Sequence, residues 1–220
     1  MNNAEKREQI LGRLYTAQKY GSDAHVPEQK RWEIPVYSRE QRIAEFTERM
    51  TAVRTEVFQA KGNEWVDALH ALVTERGQKT LLHAPETELG KTLADHWPKE
   101  SNCELVTWEG NIEAFKEDLF ACDAALTSCM GGIAESAALI LWPTPHEPRL
   151  MSIVPPLHVV VLKADEIHTS FQDAIEALGW AENIPTNALL ISGPSKTADI
   201  ELILQFGVHG PTDLVVYVVD

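Results

Sequence analysis

The amino-acid sequence predicts a largely parallel α/β domain over residues 39–220, preceded by an N-terminal helix and arm over residues 1–38. Two observations support this prediction. Between Arg39 and Ser128, segments with helical spacing of apolar residues alternate with short β-rich runs, which is typical of helices that connect parallel strands. The length of 220 residues suits one α/β domain with a well-buried core and is short for two.

The first 38 residues are predicted to form a helix and an extended arm. Residues 4–19 have the apolar spacing of a charged amphipathic helix. Residues 21–35 follow neither the helical nor the strand period, and they include Trp32 and Ile34. Because each such side chain loses about 1.5–3 kcal/mol of burial energy if it stays in water, we expect the arm to pack over the domain or against another subunit.

The remaining elements follow in order along the domain. Met130-Gly131-Gly132 leaves little room for a helix, so it is predicted to be a hairpin-like connection between strands at 124–129 and 134–142, which opens a β-rich excursion. Helices are predicted at about 39–50, 64–76, 87–97, 111–118, 169–178 and 196–206. Strands are predicted at about 53–58, 80–83, 104–108, 123–128, 134–142, 157–162, 188–191 and 214–219.

The charge of the chain limits its partners. The formal net charge is −14 and the pI is about 5.0, whereas nucleic acids and anionic membranes require a basic surface. An anionic ligand therefore needs a local positive site. The sequence has no apolar run near the roughly 20 residues that span a bilayer and no apolar leader segment, so we expect a cytoplasmic protein without membrane insertion.

The sequence carries no pattern for a cofactor or a metal ion. Its three cysteines, Cys103, Cys122 and Cys129, form no C-x-x-C pair and are too few for a four-thiolate cluster. The histidines lack the spacing of metal ligands, and no G-x-G-x-x-G fingerprint is present. We therefore expect that any electron carrier belongs to a partner protein.

The stretch after residue 191 is the first candidate site. An apolar run ends at the turn Gly193-Pro194, and a segment with helical spacing follows. Such a strand, loop and helix would direct backbone N–H groups and the positive end of the helix dipole at one spot, where Ser195, Lys196 and Thr197 add two hydroxyls and an ammonium group. This interpretation predicts an anion site at Ser192, Gly193, Ser195, Lys196 and Thr197.

A simpler interpretation of the same stretch remains open. Ser or Thr before a helix is an ordinary N-cap, and a Gly-Pro pair is an ordinary turn. Asp199 and Glu201 in the first turn would already satisfy the dipole and would repel a phosphate. The stretch also lacks the spacing of a Walker A loop.

Three further residues are candidates for chemistry. Glu135 lies among small residues between apolar strands, so its carboxylate needs either a partner or a role as nucleophile or base. Arg149 lies in a proline-bounded loop and can bind a carboxylate or phosphate bidentately, or pair with Glu135 or Glu147. His209 is predicted near the carboxyl ends of the strands, as a ligand group or as a donor to helix-end carbonyls. His158 is predicted to be a hydrogen-bonded histidine at a strand end.

Three motifs in one order resemble the lactate utilisation protein C family, whose members carry a LUD domain. They are G-I-A-E-S at 132–136, P-R-L-M-S-I-V-P-P-L-H at 148–158, and S-G-P-S-K-T-A-D-I-E at 192–201 followed by G-V-H-G-P. The resemblance covers roughly the last hundred residues. It implies the ribose-5-phosphate isomerase/CoA-transferase-like (NagB/RpiA-like) fold. It also implies a soluble subunit of a system that oxidises lactate to pyruvate and that is not catalytic alone. Iron–sulfur partner proteins would carry the electrons, while this chain binds a small anion or organises the assembly.

Two alternatives stand beside that function. CoA transferases of the implied fold use a glutamate as acyl-accepting nucleophile, so the chain is alternatively an enzyme acting on an acyl-CoA or a sugar phosphate through Glu135. Ala137 and Ala138 depart from the Gly or Thr that family members carry there. The other alternative is an interaction module without a ligand. An enzyme requires Glu135, Arg149, Lys196 and His209 to converge on one cavity.

Overall fold

The structure is a computed structural model. The chain separates into two compact units, residues 1–34 and 35–220. In the first unit, helix α1 (Asn3–Gly21) agrees with the predicted helix at 4–19. The predicted arm at 21–35, with Trp32, falls almost wholly outside the described residues. The described residues are 2–21, 35–108, 110, 112–183, 185–198 and 204–220.

The second unit alternates helices and strands, as the sequence predicts. Its helices are α2 (Arg39–Ala52), α3 (Glu64–Glu75), α4 (Glu88–His96), α5 (Ile112–Ala121) and α6 (Phe171–Ala177). Its strands in chain order are β1 (Glu56–Ala60), β2 (Thr80–His83), β3 (Glu104–Thr107), β4 (Ala124–Ser128), β5 (Gly131–Ile133), β6 (Ala138–Leu141), β7 (Leu157–Lys163), β8 (Ile167–His168), β9 (Leu189–Ile191), β10 (Lys196–Ala198), β11 (Leu204–Phe206) and β12 (Asp213–Val219).

Six strands form a parallel sheet in the order β1-β12-β7-β4-β2-β3. This sheet confirms the predicted α/β class. Because successive strand residues point to opposite faces, Val160 of β7 packs in one apolar cluster with Phe46 of α2, while Val159 packs in a second cluster with Leu69 of α3. Parallel pairing also places the amino ends of β7 and β12 side by side, with His158 opposite Leu214.

The β-rich excursion is a second sheet, in the order β8-β5-β6-β9. The predicted turn at Gly131-Gly132 is wrong, because these glycines belong to β5 and the hairpin turn is residues 134–137. A Cβ atom on Gly131 would lie 2.6 Å from the carbonyl oxygen of Glu166. The glycines therefore allow close packing of β5. Glycine is common both in turns and in closely packed strands, so the sequence alone does not distinguish the two.

The predicted helix at 196–206 is wrong at both of its described ends. Lys196–Ala198 and Leu204–Phe206 are antiparallel strands that pair with each other, and residues 199–203 lie outside the described residues. Apolar spacing is a local signal, whereas strand pairing depends on a partner that the spacing does not reveal. The helix N-terminus on which the predicted anion site depended is therefore absent at Lys196.

None of the helices in the described ranges is both long and apolar enough to cross a membrane.

Candidate functional site

A cavity of about 330 Å³ lies where the amino ends of β7 and β12 meet the chain that follows β9. Five of the seven residues predicted to bind a ligand line it: Ser192, Gly193, Ser195, Lys196 and His209. Its other lining residues are Ser152, Ile153, His158, Leu190, Ile191, Pro194, Gly210, Pro211 and Leu214. The structure therefore brings these five residues together, although Lys196 begins a strand and not the predicted helix.

Backbone contacts fix the two segments that carry the polar lining residues. The N–H of Ser195 donates to the carbonyl of Pro211 at 2.9 Å, and the carbonyl of Ser195 accepts from Gly207 at 2.9 Å. A Cβ atom on Gly210 would lie 3.1 Å from Cβ of Ser195, so a glycine permits this close approach. Gly193 has a φ of 115° and packs against Val53. Ser195 and its neighbours are thus held in place without a helix.

The charge of the lining differs from that of the whole chain. The chain has 33 acidic and 19 basic residues, yet the described lining of the cavity contains no aspartate or glutamate. Its ionisable groups are the exposed Lys196 and His209 and the buried His158. Because an anion is bound best where cations and hydroxyls face it without competing carboxylates, this lining favours a small anion that also has an apolar part.

The floor of the cavity holds His158, which is 1% exposed. Its Nε2 atom lies 2.8 Å from Oγ1 of Thr127 on the adjacent strand β4. Burial lowers the pKa of His158 to about 3, so the imidazole is uncharged at neutral pH. The sequence interpretation of His158 as a strand-end histidine is right in its position, but it did not reveal the cavity, because the hydroxyl partner belongs to a strand 31 residues away.

Arg149 lies beside the cavity and not in it. It begins the 3₁₀ helix Arg149–Ser152 and lines a cleft of about 10 Å³, a volume on the order of one water molecule. Ser152 lines both the cleft and the cavity. The predicted ion pairs of Arg149 with Glu135 or Glu147 are wrong, since neither occurs among the ion pairs of the described residues. Arg149 is exposed to solvent, and Glu147 contacts Ser128 in its place.

Glu147 instead binds the end of β4. Its Oε1 atom accepts hydrogen bonds from the backbone N–H of Ser128 at 2.8 Å and from its hydroxyl at 2.9 Å. Burial raises the pKa of Glu147 above its usual value, and the two hydrogen bonds oppose that rise. This carboxylate therefore has a structural partner without Arg149.

Glu135 lies in the turn between β5 and β6, and its backbone N–H donates to the carbonyl of Thr169 at 3.0 Å. It is not among the cavity's described lining residues, and neither are Arg149 and Thr197. Thr197 lies on β10, where it pairs with Gln205. An enzyme acting through Glu135 requires Glu135, Arg149, Lys196 and His209 to line one cavity. Of these four, only Lys196 and His209 are among the described lining residues.

The cavity lies at the amino ends of the parallel strands, whereas the site of His209 was predicted at their carboxyl ends. His209 was expected near the carboxyl ends of the parallel strands, but it follows β11 and precedes β12, and the cavity reaches the strand starts at His158 and Leu214. The expected location at the carboxyl ends is therefore wrong for His209. The reason is that the segment after β9 comes from the smaller sheet, whose position relative to the parallel sheet follows from no local pattern.

Comparisons with known proteins identify the family to which this chain is similar. The profile of the LUD domain matches residues 43–219. An uncharacterised protein of Neisseria meningitidis serogroup B is 36% identical over 80% of this chain and 76% of its own length. The lactate utilization protein C of Deinococcus radiodurans is 35% identical over 46% of this chain and 49% of its own length.

A solved structure supports the fold. The crystal structure of a DUF162 family protein from Deinococcus radiodurans is similar with a TM-score of 0.63 over 84% of this chain and 100% of that chain. The two sequences are 19% identical, so this likeness concerns the fold alone.

Proposed function

The chain belongs to the LUD-domain family, and from this membership we propose that it serves lactate utilisation by binding a small carboxylate anion in the cavity. The names of several relatives support the role in lactate utilisation. The observation that supports the anion is the described lining, which is free of carboxylates in a chain of net charge −14.

The composition of the cavity fits lactate or pyruvate. Lys196 and His209 supply cationic or hydrogen-bonding groups for a carboxylate, and Ser192 and Ser195 supply hydroxyls. Apolar residues such as Leu214 supply a surface for a methyl group. A ligand with one carboxylate and a short carbon chain uses both parts of this lining.

We propose that iron–sulfur partner proteins receive the two electrons that leave lactate when it becomes pyruvate. The three cysteines are fewer than the four thiolates that hold an ordinary cluster. They also lie in three separate apolar clusters, Cys103 in one, Cys122 in a second and Cys129 against a third. Within the described residues, no group of three or more His, Cys, Asp and Glu is arranged to hold a metal ion.

The enzyme alternative has less support. Acyl transfer through Glu135 requires its carboxylate to face the substrate, and Glu135 lies outside the described lining of the cavity. For the fold, we propose the NagB/RpiA-like architecture that the resemblance implies. The insertion of a smaller sheet beside the six-stranded parallel sheet is compatible with it.

Replacing Lys196 with alanine is expected to weaken L-lactate binding about tenfold or more, because a hydrogen bond to a charged group contributes about 1.5–3 kcal/mol. Lys196 is exposed, so the melting temperature should stay unchanged. Isothermal titration calorimetry with L-lactate and with pyruvate measures the affinities. Lys163→Ala, an exposed lysine of β7 outside the cavity, is the control. Equal affinities in Lys196→Ala and the parent protein would contradict the anion site.

A further inference from the structure

The floor of the cavity contains a polar atom without a partner among the described residues. His158 uses Nε2 in its contact with Thr127 Oγ1. Its other ring nitrogen, Nδ1, has no hydrogen-bond partner in the described part of the chain and is not one of the fully enclosed partnerless atoms. Because His158 lines the cavity, a molecule bound there is the candidate partner for Nδ1. A buried polar group of this kind needs a partner, and a bound molecule can supply it.

The Thr127 hydroxyl determines which ring nitrogen of His158 carries the hydrogen. Thr127 is 2% exposed, and its hydroxyl makes no other hydrogen bond to the described residues. A buried O–H needs an acceptor, so the hydroxyl donates to Nε2 and the hydrogen of the neutral ring is on Nδ1. Burial lowers the pKa of His158 to about 3, which keeps this ring uncharged at neutral pH. The floor of the cavity therefore presents one uncharged N–H donor.

On the basis of the proposed function, we propose that His158 donates Nδ1–H to the 2-oxygen of a 2-hydroxy or 2-oxo monocarboxylate and selects such acids over those that lack this oxygen. Lys196 and His209 interact with the carboxylate, which both kinds of acid share. Only an acid with a 2-oxygen also satisfies the N–H at the floor, while another acid leaves this donor unpaired and desolvated. Thr127 is a positioning residue, because it holds the ring and its tautomer.

The test compares L-lactate, pyruvate and propionate by calorimetry. Propionate has the same carboxylate and three-carbon chain but no 2-oxygen. The parent protein should bind L-lactate and pyruvate about tenfold or more tightly than propionate, because an unpaired buried donor reduces affinity by about that factor. In His158→Phe, the affinities for lactate and pyruvate should fall to that for propionate. The affinity for propionate itself should stay unchanged.

Variants of Thr127 test the positioning role. Thr127→Val removes the hydroxyl with little change in shape and should reduce the preference for lactate over propionate, whereas Thr127→Ser keeps the hydroxyl and should restore it. His146→Phe, an exposed histidine outside the cavity lining, should retain the full preference.

The outcomes separate this inference from the proposed function. If the parent protein binds lactate and propionate equally, or if His158→Phe keeps the preference, the role of His158 is overturned while the anion site stands. If none of the three acids binds to the parent protein, the proposed function itself fails. The comparison of the three acids on the parent protein tests the inference even if a variant does not fold.

Discussion

Acidification from pH 7 to pH 5 is expected to lower the free energy of unfolding by about 2 kcal/mol through His158 alone, since a one-unit pKa difference corresponds to about 1.4 kcal/mol. Burial lowers the pKa of His158 to about 3. Burial also lowers the pKa of His83 and of His168. These three side chains are 1%, 2% and 9% exposed, respectively, so burial disfavours their charged forms in the folded protein.

The direction of this effect follows from the proton balance. Each of these histidines has a lower pKa in the folded chain than its ordinary value of 6.5. The unfolded chain therefore binds protons first, and the stabilisation present above pH 6.5 is lost as the pH falls toward the folded pKa. Glu147 acts in the opposite direction, because burial raises its pKa. The shift of His158, whose pKa falls to about 3, sets the expected direction of the sum.

Urea unfolding at pH 7 and pH 5 measures the difference. We expect a lower midpoint at pH 5 for the parent protein and a smaller decrease for His158→Phe. The exposed His146→Phe serves as the matched control, and its decrease should equal that of the parent protein. A midpoint that stays the same between pH 7 and pH 5 would show that these histidines are not held neutral by burial.

Replacing Gly90 with alanine is expected to destabilise the α/β domain by about 3 kcal/mol, at the upper end of overpacking effects. Gly90 lies in the first turn of α4, and its N–H donates to the capping hydroxyl of Thr87 at 3.0 Å. A Cβ atom at Gly90 would lie 1.9 Å from the carbonyl oxygen of Ala84 and 2.7 Å from its carbon. These are backbone atoms next to β2, so the helix itself would have to move.

Differential scanning calorimetry detects this change as a fall in melting temperature of about 10 °C, given about 2–4 °C per kcal/mol for a chain of this size. Gly12→Ala is the control, because no described heavy atom outside the backbone of its own helix lies within 4 Å of its added Cβ, and alanine is favoured over glycine within a helix. That variant should show no loss of stability. A Gly90→Ala protein that melts with the parent protein would mean that α4 does not pack this closely on the chain after β2.

The sequence correctly predicted those helices and strands that can be recognised from the apolar spacing of their own residues. Thr80–His83 agrees with its predicted bounds, and the helices and parallel strands up to Ser128 agree within a few residues. The prediction failed where a distant partner decides the structure. Gly131 has the composition of a turn but lies in β5 because Glu166 approaches it. Lys196 precedes a helical spacing but lies in β10 because it pairs with Phe206.

The candidate site shows the same division. Ser195, Lys196 and His209 carry polar chemistry in short Gly-Pro segments, so their composition was sufficient to select them. His158 was not selected as a ligand group because its contact with Thr127 and its place in the cavity lining join it to residues that are distant in the sequence. Glu135 was selected for its small neighbours, yet these neighbours form the turn and β5.

The central claim is that the cavity at the amino ends of β7 and β12 binds a small carboxylate. The most direct test is a crystal structure of the protein grown with pyruvate at saturating concentration. We expect pyruvate in the cavity, with its carboxylate within hydrogen-bonding distance of Lys196 and its 2-oxo oxygen at Nδ1 of His158. A cavity without pyruvate in such a crystal, or pyruvate bound at the turn that holds Glu135, would contradict the claim.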